Sequence, residues 1–169
     1  MKRIAATATL LFVLGAVFAY GFGRRGDEIA QPVRFNHSLH LKEASLECIA
    51  CHKNAQNSRY AGIPDASVCL DCHDSGGEKG SHPEKDKLFA QADKNQEIPW
   101  IRVAVVRPDV FFSHRRHVAS AQIPCLDCHV GQNLRTVPPA KPELVMTMKE
   151  CISCHEQKKA STDCLACHR

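Results

Sequence analysis

Five copies of the pattern Cys-x-x-Cys-His constrain this chain of 169 residues more than any other feature. The copies use all ten cysteines, and a histidine directly follows the second cysteine of every copy. Two cysteines at this spacing reach the two vinyl groups of one porphyrin, and the next residue points its imidazole at the iron. We therefore expect five covalently attached haems of the c type.

In this interpretation the cysteines bind the porphyrins and the histidines that follow them are proximal iron ligands. The cysteines are Cys48, Cys51, Cys69, Cys72, Cys125, Cys128, Cys151, Cys154, Cys164 and Cys167. The proximal histidines are His52, His73, His129, His155 and His168. Zinc sites and a disulfide framework are the alternatives. Five units do not divide into closed four-sulfur zinc sites, and disulfides give no reason for the histidines.

The number of haems sets the expected fold class. Residues 24–169 leave about 29 residues for each haem, and the chain has only two Tyr, one Trp and seven Phe as large apolar fillers. The porphyrins themselves must fill the core. We expect a mostly irregular chain with short α-helices, almost no sheet and a haem-packed core.

Residues 1–25 have the composition of a membrane anchor. No charge occurs from Ile4 to Gly23, and a helix of that length spans about 30 Å. A cleaved signal peptide is the alternative, with Val17 and Ala19 as its small residues. We expect a retained transmembrane helix in a bacterial inner membrane. Because c-type haems are attached outside the cytoplasm, the haem domain should lie on the periplasmic side.

Five further histidines equal the number of irons that need a second axial ligand. They are His37, His40, His82, His114 and His117. Four of them belong to a repeat, because Phe-x-His-x-x-His precedes Cys48 and Cys125 at the same interval and a shift of 77 residues superimposes both segments. His82 has no counterpart. We predict bis-histidine ligation for most of the haems.

The repeat divides residues 32–169 into two modules, 32–82 and 108–169, joined by a connector over 83–107. The first module holds two motifs and three spare histidines, whereas the second holds three motifs and two. If all irons have two histidines, at least one ligand crosses between modules. The two modules should therefore form one unit.

The connector should begin with a helix. Ser81 and Glu84 have capping-box spacing, Pro83 suits a first turn, and residues 84–97 favour a helix. Residues 98–103 should be extended and packed in the core. Met146 and Met148 are expected to be packing residues, although a methionine ligand to a haem stays open.

The Phe-x-His-x-x-His segments resemble those of the class III multihaem cytochromes c. The resemblance implies that His37 completes the haem at His52 and that His114 completes the haem at His129. It also implies that His40 and His117 reach other haems.

The longer arrangement of anchor, Ile-Pro-Trp-Ile-Arg-Val and Phe-Phe-Ser-His-Arg-Arg-His-Val is similar to the cytochrome subunit of alternative complex III and of periplasmic menaquinone reductase complexes. That resemblance implies three kinds of partner: an iron–sulfur and molybdopterin-like subunit, quinone-binding membrane subunits and a soluble periplasmic cytochrome c. Five motifs fit the first type, whereas six haems would fit the second, so a sixth haem without a standard motif stays open.

We expect a non-catalytic electron relay within a membrane quinone oxidoreductase complex. The alternatives are a free-standing periplasmic shuttle or quinol dehydrogenase, and a nitrite-type oxyanion reductase with one open haem. The formal charge of +4 does not indicate nucleic acid, because the propionates of five oxidised haems would bring it to roughly −1.

Overall fold

The computed structural model describes residues 29–94, 97–141, 143, 144 and 146–168, together with Gly15. A boundary between Ala30 and Gln31 divides the chain into two units, and nearly all described residues belong to the second unit. No helix in the described part is long and apolar enough to cross a bilayer. The anchor predicted over residues 1–25 lies outside the described residues, apart from Gly15.

Short helices carry most of the regular structure between residues 31 and 168. The α-helices are α1 (His37–Lys42), α2 (Cys48–Cys51), α3 (Ala66–Leu70), α4 (Ser75–Glu78), α5 (Pro83–Ala92), α6 (Cys125–Cys128), α7 (Met148–Gln157) and α8 (Cys164–Cys167). A π-helix spans Arg116–Ser120 and a 3₁₀-helix spans Gln132–Leu134. Strands β1 (Ala104–Val105) and β2 (Glu143–Leu144) pair in parallel. This irregular, helix-poor architecture is the one that the motif density predicted.

Polar residues at the amino-terminal ends specify where several of these helices begin. The side chains of Asn36, Asp65 and Asp163 accept backbone N–H groups at the starts of α1, α3 and α8. Thr147 and Glu150 form a capping box at α7. Such caps satisfy backbone donors that a helix of one or two turns cannot satisfy internally.

The connector helix begins differently from the prediction. Its N-cap is His82, whose ring accepts the N–H of Glu84, while the Ser81 hydroxyl donates to the Glu78 carbonyl. The predicted capping box of Ser81 and Glu84 is therefore wrong. The helix ends at Ala92, earlier than predicted. Residues 98–103 have no regular secondary structure, and the Trp100 N–H donates to the Ile98 carbonyl at 2.7 Å, so this part is not extended throughout.

One small apolar cluster lies around the connector. Ala66, Leu88, Phe89 and Ile98 are buried together, and Trp100 packs against them while donating its indole N–H to the Pro64 carbonyl at 2.8 Å. Apart from Ala55, these are the buried hydrophobic residues of the described chain. So small a core cannot by itself stabilise a unit of this length, which agrees with cofactors that supply the missing apolar contacts.

Backbone contacts join the two modules in one unit. The Arg59 side chain donates to the carbonyls of Val110 and Phe112, and the backbone N–H of His114 donates to the Arg59 carbonyl at 3.0 Å. The guanidinium also lies 4.7 Å from the ring centre of Phe111. Near the other repeat, the Ser38 N–H donates to the Arg135 carbonyl. Each module therefore contributes to holding the histidine segment of the other.

Candidate haem-binding site

Four of the five attachment motifs close a single helical turn. In the turns that begin at Cys48, Cys69, Cys125 and Cys164, the N–H of the histidine donates to the carbonyl of the first cysteine at 2.8–2.9 Å. Residues three apart on such a turn lie on the same face. Both sulfurs therefore lie on one face of the turn, as attachment to a single porphyrin would require. The Cys151 motif instead lies inside the longer helix α7.

Hydrogen bonds at Nδ1 orient three of the proximal histidines, namely His52, His73 and His155. The Nδ1 atoms of His52 and His155 lie 2.7 and 2.6 Å from the carbonyl oxygens of Gly62 and Ser161. His73 Nδ1 lies 2.7 Å from a carboxylate oxygen of Glu78. When Nδ1 carries the proton and donates it in this way, Nε2 keeps its lone pair for a metal.

Three of the five spare histidines are prepared in the same way. The Nδ1 atoms of His40, His114 and His117 lie 2.8, 3.0 and 2.9 Å from the carbonyls of Asn36, Arg59 and Ser113. The aromatic frame is duplicated as well. Phe35 stacks on His40 at 4.3 Å between ring centres, and Phe112 stacks on His117 at 4.7 Å. These rings are fixed with Nε2 available.

The structure brings three spare histidines opposite three proximal histidines. The separation of ring centres is 6.1 Å for His40 and His73, 6.3 Å for His114 and His129, and 6.1 Å for His117 and His155. Two imidazoles on opposite sides of one iron, each about 2.0 Å from it, have ring centres about 6.3 Å apart. The residues therefore fit bis-histidine haem c at three positions. His114 with His129 is the pairing that the resemblance implied.

His37 lies near His52, its implied partner. The pKa of His37 is lowered to about 4, mainly by burial and then by the neighbouring His52, His40 and Arg135 in that order. Its Nδ1 is the buried polar side-chain atom of the described residues that has no hydrogen-bond partner. A half-buried imidazole near a proximal histidine, with a lowered pKa that favours its neutral form, fits the second axial position of a haem attached at Cys48 and Cys51.

All four pairs form within a module, so they do not include the predicted ligand that crosses between modules. Within the first module His37 is near His52, and His40 faces His73. Within the second module His114 faces His129, and His117 faces His155. The remaining histidines are His82 and His168, and the structure does not bring their rings into contact.

His82 does not have the arrangement of the other spare histidines. It is exposed at the start of α5, and its Nδ1 accepts the backbone N–H of Glu84 at 3.2 Å. A neutral imidazole that accepts at Nδ1 carries its proton on Nε2, so Nε2 has no lone pair for iron. In the structure His82 therefore caps α5, and its role as an axial ligand stays a prediction.

The cysteine sulfurs show which motifs are neighbours in space. Burial is the main reason that the pKa values of the Cys51 and Cys125 thiols are raised, and nearby thiols raise them further: Cys72 for Cys51, and Cys48 for Cys125 through a hydrogen bond as well. The first motif therefore lies beside both the second and the third.

The thiols of the second module identify further neighbouring motifs. Burial raises the pKa of the Cys128 thiol, with Cys154 as the next cause, and burial raises that of Cys151, with Cys167 as the next cause. The third motif therefore neighbours the fourth, and the fourth neighbours the fifth. In space the motifs form the continuous order second, first, third, fourth, fifth.

The ten cysteines are free thiols, and no cluster of three or more His, Cys, Asp or Glu side chains in the described part of the chain could hold a metal ion. Free cysteines on a helical turn, followed directly by a histidine, fit thioether attachment of a porphyrin.

Two polar residues at these sites were missed from the sequence. Glu78 binds His73 and also pairs with Lys85 at 2.7 Å, and Asp109 lies 3.4 Å from His168. Glu78 follows its histidine by five residues, but no pattern identifies such a partner. Asp109 is distant in sequence, so only the folded chain could show it.

Comparisons with known proteins agree with the geometry. Residues 23–98 match the "Class III cytochrome C family", and residues 110–169 match "Cytochrome c7 and related cytochrome c". A similar protein is the menaquinone reductase multiheme cytochrome c subunit of Nitratidesulfovibrio vulgaris (strain Hildenborough), which is 27% identical over 198 residues. That similarity covers 99% of this chain and 93% of the relative.

Proposed function

We propose that this chain, which is similar to the class III and cytochrome c7 families, is a multihaem cytochrome c that carries five haems c and relays electrons within a membrane quinone oxidoreductase complex. Each haem supplies reversible one-electron transfer between ferric and ferrous iron. The ten cysteines hold the porphyrins, the five proximal histidines bind the irons, and four haems have His37, His40, His114 and His117 as second ligands.

The observation that carries the relay proposal is the continuous order of attachment motifs. Neighbouring sulfurs connect the second motif to the first, the first to the third, and onward to the fourth and fifth. Haems attached along such an order are separated by short steps. Electrons that enter at one end can therefore leave at the other without a catalytic group elsewhere in the chain.

The proposed location follows from the amino terminus and from haem attachment. Residues 1–25 anchor the chain in the bacterial inner membrane, and the haem domain lies on the periplasmic side. The full-length similarity to a menaquinone reductase subunit supports partners in one complex. These partners are an iron–sulfur and molybdopterin-like subunit, quinone-binding membrane subunits and, outside the complex, a soluble periplasmic cytochrome c.

Gentle detergent extraction, a native gel with haem staining and identification of the co-migrating subunits test the complex. We expect a haem band with iron–sulfur and polytopic membrane subunits. The matched control replaces residues 1–25 by a cleavable export signal, which should release the haem domain from the membrane fraction. A native haem band that holds this chain alone would overturn the complex and favour a free shuttle.

The relay is tested by interrupting the order in the middle. The double variant Cys125→Ala, Cys128→Ala lacks the third haem, whereas Cys164→Ala, Cys167→Ala lacks only the terminal fifth haem. Rapid reduction by a soluble donor should become multiphasic in the first variant, because the remaining haems form two separated groups. In the second variant the remaining four haems should still be reduced together. Equal kinetics in both variants would contradict the proposed order.

A further inference from the structure

We propose that the haem attached at Cys164 and Cys167 has no histidine of this chain as its second axial ligand, and that its iron binds a small exogenous ligand. This inference rests on the five haem attachments proposed above. Its ligand class is a neutral diatomic or water-sized molecule, for which carbon monoxide on the reduced iron is a direct probe.

Few histidines are available as a second ligand for the fifth haem. All ten histidines of the chain lie within the described residues. Four proximal histidines each have a spare histidine beside them, namely His52, His73, His129 and His155. His168 is the fifth proximal histidine, and of the spare histidines only His82 is left for it.

His82 is engaged at the start of helix α5. Its Nδ1 accepts the Glu84 N–H and thereby caps α5, a helix that contributes Leu88 and Phe89 to the buried apolar cluster. Ligation of iron by Nε2 would require the other tautomer, which would leave the Glu84 N–H without this acceptor. The cap and the axial bond therefore exclude each other.

His168 and its motif contact the segment from Asp109 to Phe111. Its Nδ1 contacts are with Asp109, at 3.3 Å to the backbone oxygen and 3.4 Å to the carboxylate. Val110 forms an isolated antiparallel bridge with it, and the Phe111 N–H donates to the Cys167 carbonyl at 2.6 Å. These contacts hold the proximal side of the haem and leave Nε2 free for the iron.

The fifth motif is also open to solvent. Cys164 is exposed, and Leu165 between the two cysteines is 76% exposed. This motif lies at one end of the order of motifs, so other haems do not enclose it on both sides. A haem attached here would therefore have an edge in contact with solvent.

The test uses the full haem-loaded chain in detergent. We expect a high-spin ferric signal in the electron paramagnetic resonance spectrum of the oxidised protein, and one carbon monoxide bound per five haems after reduction. His82→Ala should leave both results unchanged. In Cys164→Ala, Cys167→Ala both the high-spin signal and carbon monoxide binding should disappear.

Several outcomes would overturn the inference. One is fully low-spin iron that binds no carbon monoxide, which a methionine ligand such as Met146 would produce. Another is carbon monoxide binding that occurs in His82→Ala but not in the unmodified chain. Binding that persists without the fifth haem would also overturn it. If the cysteine variant fails to mature, the spectra of the unmodified chain and of His82→Ala still decide. Co-migration with other subunits does not depend on these results, so failure of the relay proposal would be recognised separately.

Discussion

The two modules share a ligand frame but differ in what supports it. Ser45 and Gln122, which are 77 residues apart, both have φ of 53° although neither is glycine. The backbone N–H of the next residue, Leu46 or Ile123, donates to the carbonyl of His40 or His117. The duplicated sequence therefore folds twice into the same histidine segment, down to an unusual backbone conformation.

The support differs in its apolar packing. The five buried hydrophobic residues of the described chain all lie between residues 55 and 98, in the first module and the connector. The described residues of the second module contain none, although it carries three motifs instead of two. Both modules have the same histidine segment, whereas buried hydrophobic residues occur, among the described residues, in the first module and the connector. We therefore expect the second module to depend more strongly on haem attachment.

The largest expected effect comes from removing matched second ligands. His40→Ala and His117→Ala each remove one histidine that faces a proximal ring at 6.1 Å. We expect each variant to gain high-spin iron equivalent to one haem in five, measured by electron paramagnetic resonance and optical spectra. Wild-type protein and His82→Ala are the controls. Different gains in the two variants would mean that the modules do not ligate their haems equivalently.

The difference in packing predicts a one-sided loss of stability. Phe89 is 1% exposed, and Phe89→Ala should lower the free energy of unfolding by about 3–4 kcal/mol, because it leaves a cavity in the only apolar cluster of the described residues. Thermal unfolding and hydrogen exchange should show the loss around α5. Ala90→Ser, at an exposed position of the same helix, should change stability by no more than about 0.5 kcal/mol. Equal loss of protection in the second module would contradict the comparison.

The partner of the second proximal histidine in each module also differs. Hydrogen bonds from Lys85 and His73 keep the pKa of the Glu78 carboxyl below its usual range, so an ionised group holds His73. A negative charge there favours ferric iron. Glu78→Gln should therefore raise the midpoint potential of the haem attached at Cys69 and Cys72, measured by spectroelectrochemistry.

The second module supplies the control for this charge effect. His155 is held by the backbone carbonyl of Ser161, which a side-chain substitution does not remove. Ser161→Ala should leave the potential of the haem attached at Cys151 and Cys154 unchanged. An equal shift in both variants would mean that general disturbance, and not the charge of Glu78, sets the potential.

The smallest expected effect concerns the shared backbone conformation. Ser45→Gly and Gln122→Gly relieve a left-handed conformation that costs a residue with a Cβ about 1 kcal/mol, partly offset by the greater entropy of glycine in the unfolded chain. Each variant should gain about 0.5 kcal/mol in thermal unfolding. A gain in one variant and a loss in the other would show that the two segments are not strained alike.

Much of the site could be predicted because its chemistry is local. A Cys-x-x-Cys-His motif forms its turn and aligns both sulfurs within five residues, and the repeat of Phe35 to His40 in Phe112 to His117 repeats both ring stacking and Nδ1 tethers. The short helices and scarce sheet also follow from how many haems the chain must hold. The family resemblance came from the same segments.

The position of His82 at a helix start could not be predicted from the number of histidines. Counting histidines assigned it to an iron, but a histidine followed by proline can instead cap a helix, and both uses have the same sequence. The sequence also did not identify the groups that contact the proximal rings, such as Glu78 and Asp109. These choices depend on which groups meet in space.

The sequence alone therefore determined the five Cys-x-x-Cys-His motifs and the duplication, because such motifs and one-turn helices need only neighbouring residues. The tertiary structure decided which histidine faces which, which motifs are neighbours in space and where His82 lies. The facing imidazoles belong to residues that are 33 apart for His40 and His73 and 38 apart for His117 and His155. Such pairings depend on the path of the chain between them, which local spacing does not specify.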